Sequence, residues 1–310
     1  DTLVHVYEAV SPSVVYIQTQ GGTGSGFVWD LEGHIVTNNH VVAGATQIVI
    51  VFSDGRFANA SIVGTDVDSD LAVLKLDTIP TQLVPVSVGD STQLKVGEIA
   101  IAIGSPFGQT GTMTVGFISA LGRLQPVDTS NGAAASFNMS DLIQTDAAIN
   151  PGNSGGVLVD ENGLLIGVTS SIISPVRGST GIGLAIPSVA VSRIAPSLIA
   201  TGSYAHPYLG VSGGTLTPER ASALGLPADT QGTLLMEVVA NGPAAQAGLR
   251  GSETNGDVIV AINGTAVNSM DELITYLARY GVAGENVTLT ILRDGQQQEI
   301  AVQLGARPGA

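Results

Sequence analysis

Short apolar runs broken by turn residues fill the chain from Val14 to about Ile186. Residues 14–17, 47–52 and 99–103 are rich in valine and isoleucine, and glycine, aspartate and asparagine separate such runs. This rhythm is typical of β-strands joined by hairpin turns. Because no helical pattern lies between the runs, we expect antiparallel barrels or a sandwich rather than a doubly wound α/β sheet.

The first helical pattern of any length covers residues 187–200. Val191, Ile194 and Leu198 recur there at spacings of three and four residues, which places them on one helix face. Gly202 follows as a stop signal. We expect a helix that closes the first domain.

A domain boundary is predicted in the polar segment 201–207, which contains glycine and proline. Residues 1–200 then form the first domain. Residues 208–306 form a compact α+β domain with several strands, an Ala-rich helical turn at 243–248 and one longer helix. The longer helix begins at the capping box of Ser269 and Glu272. A final hairpin turns at an Asp-Gly pair. No internal repeat is apparent in either domain.

Composition excludes several classes of protein. The chain has 310 residues, and its 11 Lys and Arg against 26 Asp and Glu give a net charge of −15, which repels nucleic acid and anionic lipid. With no cysteine, a disulfide framework and a thiolate nucleophile are both excluded. No apolar stretch is long enough to span a membrane, and the chain starts at Asp1, as expected of a mature or trimmed chain.

The segment 152–156, Gly-Asn-Ser-Gly-Gly, is the clearest candidate for a nucleophile. Flanking glycines let the backbone turn sharply and expose the hydroxyl of Ser154. The backbone N–H groups of Gly152, Asn153 and Ser154 are candidates for an oxyanion hole. Gly-Ser-Gly by itself would be more common as a plain glycine-rich turn.

A nucleophilic serine needs a base and an orienting carboxylate. Among the histidines, His40 follows an apolar strand and is the candidate base. We interpret His5, His34 and His206 as ordinary surface or core residues without a catalytic role. Asp70 immediately precedes another apolar strand. Asp66 and Asp68 are rivals for the same role, although both are more typical of turn residues.

Thr-Asn-Asn-His-Val-Val, Asp-Leu-Ala-Val-Leu-Lys and Gly-Asn-Ser-Gly-Gly occur in this order around His40, Asp70 and Ser154. Together with the segments 24–28 and 181–187, these motifs resemble the HtrA/Deg family of chymotrypsin-fold serine proteases. The resemblance implies a mainly β chymotrypsin-like double antiparallel barrel. It also implies that His40 is the general base, Asp70 its orienting carboxylate and Ser154 the nucleophile of an ATP-independent endopeptidase.

The same resemblance implies that the second domain is a PDZ module with a carboxylate-binding loop formed by Tyr208, Leu209, Gly210 and Val211. An exposed strand edge beside a helix accepts an extended C-terminal peptide as an added strand. Leu273 and Leu277 are candidates for the groove wall, with ordinary core positions as an equally good alternative. The connection at 251–255 is longer than is common in such modules, which leaves its local structure open.

Small or aliphatic residues are the expected preference at the cleaved bond. In trypsin-like enzymes an acid six residues before the nucleophile selects basic side chains, and Ala148 stands at that position here. The resemblance places Ile149, Ile172 and Ile173 in the specificity pocket, unless they are core strand residues. Discrimination would be loose, because one methylene in an apolar pocket is worth only about 1–3 kcal/mol.

Unfolded or damaged proteins are the expected substrates, with C-terminal peptides bound at the PDZ domain. The resemblance implies a homotrimer or larger assembly, an extracytoplasmic location such as the periplasm, and regulation by loop ordering. The Ala/Gly-rich stretch 123–137 is a plausible sensor loop. No cofactor, metal or nucleic acid is expected, and a membrane contact is expected only through a removed N-terminal anchor.

Two other functions are alternatives to proteolysis, a non-catalytic binding protein and a metal-binding protein. A non-catalytic peptide-binding scaffold or chaperone would have no physical reason to keep serine, histidine and aspartate in three motifs at once. A divalent-metal protein has support only from the abundance of acidic residues, without a ligand loop or paired-histidine spacing. Proteolysis is the preferred interpretation.

Overall fold

The protein is described by a computed structural model that covers residues 2–105, 111–126, 138–172 and 181–308. It forms two compact units, Asp1–Tyr204 and Ala205–Ala310. The division between them falls inside the segment 201–207, where the sequence predicts a boundary.

The first unit contains two closed six-stranded barrels. The strands of the first barrel are β1 (Val14–Thr19), β2 (Thr23–Val28), β3 (His34–Asn38), β4 (Ile48–Val51), β5 (Phe57–Asp66) and β6 (Leu71–Leu76). Those of the second are β7 (Ile99–Gly104), β8 (Thr112–Pro126), β9 (Asn138–Thr145), β10 (Val157–Val159), β11 (Leu165–Ile172) and β12 (Gly183–Pro187). The prediction of antiparallel barrels is confirmed.

The two barrels share one topology. Around the first barrel the order is β1-β2-β3-β6-β5-β4, and around the second it is β7-β8-β9-β12-β11-β10. The sequence shows no internal repeat, so this repeat exists only at the level of the fold. Strand order depends on which positions are buried and where the chain turns, so two barrels can repeat it without repeating their residues.

Continuous apolar runs arise because many strands are buried on both faces. Along β6, Ala72 and Leu74 belong to a cluster made of first-barrel residues, which fills that barrel. Leu71 and Val73 belong to a second cluster that joins both barrels. Alternate side chains of a strand point to opposite faces, so a strand buried on both faces carries apolar residues at successive positions, as from Leu71 to Leu74.

Helix α1 (Thr2–Val10) was not predicted, and the first helical pattern therefore lies at the start of the chain rather than at residues 187–200. The helix buries Val6 and Val10 in the cluster between the barrels. Its apolar residues recur at helical spacing, but β-branched valines favour strands and hide this pattern.

Helix α2 (Asn39–Val42) is a single turn after β3, and helix α3 (Ser188–Thr201) closes the first unit. As predicted, α3 buries Val191, Ile194 and Leu198 and ends at Gly202, whose φ is +78°. Within the described residues, no helix has the length and apolar character needed to cross a membrane.

The second unit is built on one six-stranded sheet flanked by short helices. Five strands follow the order β14 (Val211–Thr215), β15 (Thr233–Val238), β16 (Val258–Ile262), β18 (Asn286–Arg293) and β19 (Gln296–Gln303), and β17 (Thr265–Ala266) pairs with β16. A separate pair joins β13 (Pro207–Tyr208) to β20 (Gly305–Ala306). The helices are α4 (Pro218–Ala223), α5 (Pro243–Gln246) and α6 (Met270–Tyr280).

Local signals in the second unit are largely confirmed. The hydroxyl of Ser269 accepts a hydrogen bond from the N–H of Glu272 at 3.1 Å and begins α6. The predicted hairpin joins β18 to β19 through Asp294 and Gly295, both with positive φ. The strand expected at residues 208–211 is interrupted, because β13 ends before β14 begins.

A buried ion pair stabilises this unit. Asp257 is completely buried and accepts two hydrogen bonds from the guanidinium of Arg293, at 2.7 and 2.6 Å. The N–H of Arg250 donates to the same carboxylate at 2.8 Å. Hydrogen bonding to Asp257 raises the pKa of Arg293 above its ordinary value. By contrast, the side chain of Arg250 forms only an exposed contact with Asp294, at 3.4 Å.

Replacement of Arg293 by Met is therefore expected to destabilise the second unit by about 3–5 kcal/mol, because it leaves a buried carboxylate without its partner. Hydrogen exchange should accelerate in β16 and β18, while the fluorescence of the single tryptophan, Trp29, in the first unit stays unchanged. Arg250→Met, the matched control, should cost less than about 1 kcal/mol. Equal effects of the two substitutions would contradict this assignment.

Candidate active site

Strand pairing brings His40 and Asp70 together. β3 pairs with β6 so that Asn38 lies opposite Leu71, which places the residues just beyond these strand ends side by side. The carbonyl of Asp70 accepts hydrogen bonds from the N–H of Asn39 at 3.0 Å and from the side-chain amide of Asn38 at 2.9 Å. Asp70 has a φ of +57°, a conformation that non-glycine residues rarely adopt.

The carboxylate of Asp70 orients the ring of His40. His40 Nδ1 lies 2.7 Å from Asp70 Oδ2, and the backbone N–H of His40 donates to Asp70 Oδ1 at 2.9 Å. Because a carboxylate only accepts hydrogen bonds, Nδ1 is the donor in this contact, and Nε2 on the far side of the ring is not used by Asp70. The imidazole is half-exposed whereas Asp70 is mostly buried, so the ring is open to a ligand and its partner is not.

The hydroxyl of Ser170 is a second donor to Asp70 Oδ2, at 2.8 Å. The carbonyl of the same residue accepts a hydrogen bond from Ser154 Oγ, also at 2.8 Å. Ser170 thereby contacts both the carboxylate of the first barrel and the serine of the second. Among the hydrogen bonds of the described residues, Ser154 Oγ bonds to Ser170 rather than to the ring of His40.

The loop that carries Ser154 begins with a tight turn. The N–H of Asn153 donates to the carbonyl of Asn150 at 2.9 Å, with Pro151 and Gly152 between them. Gly152 has a φ of +99°. Proline followed by a residue of positive φ is the signature of a type II turn, which only glycine adopts without strain.

Gly155 lets the loop pass close to the first barrel. Its φ is +83°, and a Cβ there would lie 2.1 Å from the carbonyl oxygen of Ser25 and 2.4 Å from Thr37 Oγ1. Neither distance is possible for a real side chain. The glycines around Ser154 therefore meet two separate requirements, a left-handed backbone conformation and a close approach of two backbone segments.

Two of the three predicted oxyanion donors remain available. The N–H of Asn153 is used within the turn, which removes it from the predicted set. No acceptor for the N–H groups of Gly152 and Ser154 is present among the described residues. The carbonyl of Asn153, at the other end of the Ser154 peptide, accepts from Thr169 Oγ1 at 2.6 Å and from the N–H of Gly156 at 2.8 Å.

The predicted specificity pocket is described only in part. Ile149 is 1% exposed, and its side chain packs so closely on Gly183 that a Cβ there would lie 2.6 Å from Ile149 Cδ1. Ile172 ends β11, and its side chain lies outside the described residues, as does Ile173 entirely. The sensor loop expected at 123–137 is likewise outside them from residue 127 onward.

In the second unit, the predicted carboxylate-binding loop lies between β13 and β14. The carbonyls of Leu209 and Gly210 accept hydrogen bonds from the N–H groups of Ala244 and Val239, each at 2.9 Å. No acceptor for the N–H groups of Leu209 and Gly210 occurs in the described part of the chain. The loop thus points two donors away from its own packing, an arrangement that suits an anionic ligand.

The remaining predicted residues of this unit divide between core and surface. Leu209 and Leu273 are buried in its core, whereas Tyr208, Val211 and Leu277 are partly buried. α6 lies beside the edge strand β14, and the N–H of Met270 donates to Thr215 Oγ1 at 3.1 Å. For Leu273 the core alternative is therefore the better description, and Leu277 remains a candidate for the groove wall.

One group of possible metal ligands occurs in the described residues, formed by Asp30, Glu32 and His34 in the turn between β2 and β3. His34 is buried, and its Nδ1 lies 2.6 Å from Asp30 Oδ2. Burial raises the pKa of Asp30, but hydrogen bonds from His34 outweigh this effect and hold the pKa below its ordinary value. The carboxylate of Asp30 accepts hydrogen bonds within the turn, and these bonds account for the closeness of the three residues without a metal. This agrees with the interpretation of His34 as an ordinary core residue.

Comparison with known proteins agrees with this geometry. Residues 24–168 match the family model of a trypsin-like peptidase domain, and residues 207–304 match that of a PDZ domain. Protease Do-like 1, chloroplastic, of Arabidopsis thaliana is 38% identical over 98% of this chain and 72% of its own length. The periplasmic serine endoprotease DegP of Escherichia coli (strain K12) is 41% identical over 91% of this chain and 56% of its own length. The chain belongs to the HtrA/Do-like family of serine proteases.

Solved structures support the family assignment along the whole chain. The HtrA-type protease AlgW with tripeptide superposes with a TM-score of 0.80 at 38% identity, and the match covers 99% of this chain and 98% of that one. The chain spans between 53% and 58% of the length of the bacterial relatives DegP-like, HhoA-like and DegP. The fold prediction, a chymotrypsin-like double barrel followed by a PDZ domain, is confirmed.

Ser170 is a site residue that the sequence did not predict, and its hydrogen bond to Asp70 gives it a role that can be tested. Ser170→Ala is expected to lower kcat about tenfold and to leave KM within about twofold, because hydrogen bonds to charged groups are worth about 1.5–3 kcal/mol. Steady-state hydrolysis of a peptide substrate measures both constants. The buried Ser91→Ala should keep the wild-type kcat, and a Ser170→Ala enzyme with full activity would contradict this role.

Proposed function

We propose that this chain is an ATP-independent endopeptidase in which Ser154 is the nucleophile, His40 the general base and Asp70 the orienting carboxylate. The observation that carries the proposal is the contact of His40 Nδ1 with Asp70 Oδ2 at 2.7 Å, which leaves Nε2 free to accept a proton. Peptide hydrolysis by this route consumes only water, so no nucleotide is required.

Catalysis begins with a rotation of the Ser154 side chain. Its hydroxyl leaves the carbonyl of Ser170 and turns to Nε2 of His40, which accepts its proton as Oγ attacks the peptide carbonyl. The N–H groups of Gly152 and Ser154 stabilise the resulting oxyanion. His40 then protonates the departing amine, and water repeats the sequence to release the acyl group from Ser154.

The hydrogen bond from the Ser154 hydroxyl to the carbonyl of Ser170 supports a resting state in which this hydroxyl must rotate before it can donate to His40. The turn at Gly152 already has the positive φ that a type II turn requires, so the oxyanion donors need no peptide flip. We infer that substrate or an activating peptide shifts the Ser154 hydroxyl from the Ser170 carbonyl to His40. Regulation then acts on a population of serine rotamers.

Unfolded or damaged proteins with small or aliphatic residues at the cleaved bond are the proposed substrates. Such residues are buried in folded proteins and become accessible when the fold is lost. Support comes from Ala148, which supplies no charge where a basic side chain would need one, whereas the burial of Ile149 fits the core alternative better than a place in the pocket. DegP of Escherichia coli bears the name periplasmic serine endoprotease, and we propose an extracytoplasmic location and a homotrimer or larger assembly for this chain too.

The PDZ domain is proposed to bind C-terminal peptides and to regulate protease activity or deliver substrate. An entering peptide would extend the sheet at β14, which pairs only with β15 among the described strands. Its carboxylate would accept hydrogen bonds from the N–H groups of Leu209 and Gly210. We propose residues 1–200 as the protease domain, 201–207 as the linker and 208–306 as the PDZ domain.

Ser154→Ala should abolish the degradation of casein, because it removes the hydroxyl that attacks the peptide carbonyl in the proposed mechanism. Mass spectrometry of the products of the native chain should locate cuts after valine, alanine or leucine. Ser53→Ala, in an exposed turn, should leave the rate unchanged. If both the native chain and Ser154→Ala suppress aggregation and neither cleaves, the chaperone alternative replaces this proposal.

Gly210→Val is expected to weaken binding of a peptide with a free C-terminal carboxylate by about tenfold or more. Gly210 has a φ of +78°, and a Cβ there would lie 3.3 Å from both Pro243 Cδ and Tyr208 Cε1, so the loop must distort. Isothermal calorimetry measures the affinity. Amidation of the peptide should remove binding to the native chain, and Gly295→Ala, in the distant hairpin, should keep it. Equal affinity for the free and amidated peptides would contradict the carboxylate loop.

A further inference from the structure

We propose that Ser25 is a positioning residue for the oxyanion donors, an inference that rests on the function proposed above. Ser25 lies on β2 of the first barrel and is completely buried. Its hydroxyl donates to the carbonyl of Gly152 at 2.6 Å and accepts from the N–H of Ser105 at 2.8 Å. A side chain of one barrel thus bonds directly to the nucleophile loop of the other.

The two bonds to the peptide between Gly152 and Asn153 define its orientation. Its carbonyl accepts from Ser25, and its N–H donates to Asn150. Because the peptide group is planar, fixing both ends fixes the whole plane. The N–H of Gly152 belongs to the preceding peptide, so its direction then depends only on the two backbone torsions of Gly152.

Anchoring matters because glycine adopts either sign of φ at little cost. Without the hydroxyl of Ser25, the plane after Gly152 loses one of its two anchors. The observed φ of +99° is then no longer the only accessible conformation. A shift of this torsion turns the N–H of Gly152 away from the point where the oxyanion forms.

The backbone of Ser25 holds the other side of the loop. Its N–H donates to the carbonyl of Ser154 at 2.8 Å, and its carbonyl accepts from Thr37 Oγ1 at 2.7 Å. Ser25 pairs with Tyr16 within the barrel, so it is a rigid point of attachment. One residue therefore holds the carbonyls of both Gly152 and Ser154, the residues that supply the proposed donors.

Removal of the hydroxyl leaves two backbone groups without their partner, the carbonyl of the partly buried Gly152 and the N–H of the buried Ser105. Buried polar groups without partners are unstable, and the loop relaxes toward other partners. Donors aimed at a developing oxyanion act in the transition state rather than on bound substrate. The loss is therefore expected in kcat and not in KM.

Ser188 offers a matched control. It is also completely buried, its hydroxyl donates to the carbonyl of Gly89 at 2.7 Å, and it accepts from the N–H of Ser91 at 3.2 Å. The chemistry removed by Ser188→Ala is thus the same as that removed by Ser25→Ala. Of these two serines, Ser25 hydrogen-bonds to the loop that carries Ser154, whereas Ser188 bonds to residues 89 and 91.

The experiment compares Ser25→Ala with Ser188→Ala for kcat, KM, melting temperature and affinity for a peptide boronic acid, which forms a tetrahedral adduct on the nucleophile. Ser25→Ala is expected to lower kcat and the boronate affinity by about 10- to 100-fold, with KM within about twofold. Ser188→Ala should lower the melting temperature by a similar amount and leave kcat unchanged. Constants for Ser25→Ala that match those of Ser188→Ala would overturn the proposal.

A second variant and a structural measurement cover the other outcomes. If Ser25→Ala does not fold, Ser25→Cys retains most of the volume with a weaker donor, and an unchanged kcat for it overturns the proposal. Amide NMR signals of Gly152 and Ser154 should shift in Ser25→Ala and not in Ser188→Ala, whether or not the chain cleaves peptides. A native chain that neither cleaves nor binds the boronate refutes the proposed function alone, while unshifted signals refute the role of Ser25.

Discussion

The site depends on the contact between the two barrels, because each barrel carries only part of it. His40 and Asp70 lie at strand ends of the first barrel, and Ser154 lies on a loop of the second. The hydrogen bond from the N–H of Ser25 to the carbonyl of Ser154, at 2.8 Å, joins the two parts directly. Behind it, an apolar cluster with residues from both barrels and from helices α1 and α3 excludes water and holds the barrels in one arrangement.

Small hydroxyl side chains do most of the positioning around this contact. Ser25 holds the carbonyl of Gly152, Thr169 holds that of Asn153, and Ser170 bonds to the carboxylate of Asp70. A hydroxyl both donates and accepts hydrogen bonds and occupies little space, so it can bond to backbone N–H and C=O groups where two segments of the chain pass closely. Ser25 and Thr169 thus bond to the backbone that carries the proposed oxyanion donors, and Ser170 bonds to the carboxylate beside His40.

Hydrogen bonding is not complete everywhere in the site. In the described part of the chain, Asn153 Oδ1 and Ser105 Oγ are buried without a partner. Ser105 donates its N–H to Ser25, and Asn153 lies between Gly152 and Ser154, which Ser25 also contacts. Asp70 keeps a left-handed backbone conformation. Natural proteins accept such local costs at functional sites and offset them by packing elsewhere, here by the barrel cores. The surrounding structure thus imposes the geometry on the site.

Much of this protein could be predicted from its sequence because the relevant signals are local. Valine and isoleucine runs between turn residues predicted antiparallel barrels or a sandwich, and Gly202 predicted the end of α3. The motifs around His40, Asp70 and Ser154 identified the family and, with it, the double barrel. Pro151 and Gly152 already carry the signature of a tight turn. What the tertiary structure decided is which distant residues meet: the repeated barrel topology, the direction of the Ser154 hydroxyl, and the contacts of Ser25, Thr169 and Ser170. These depend on pairings between distant residues, such as Ser25 and Gly152, which lie 127 positions apart, and no local pattern encodes them.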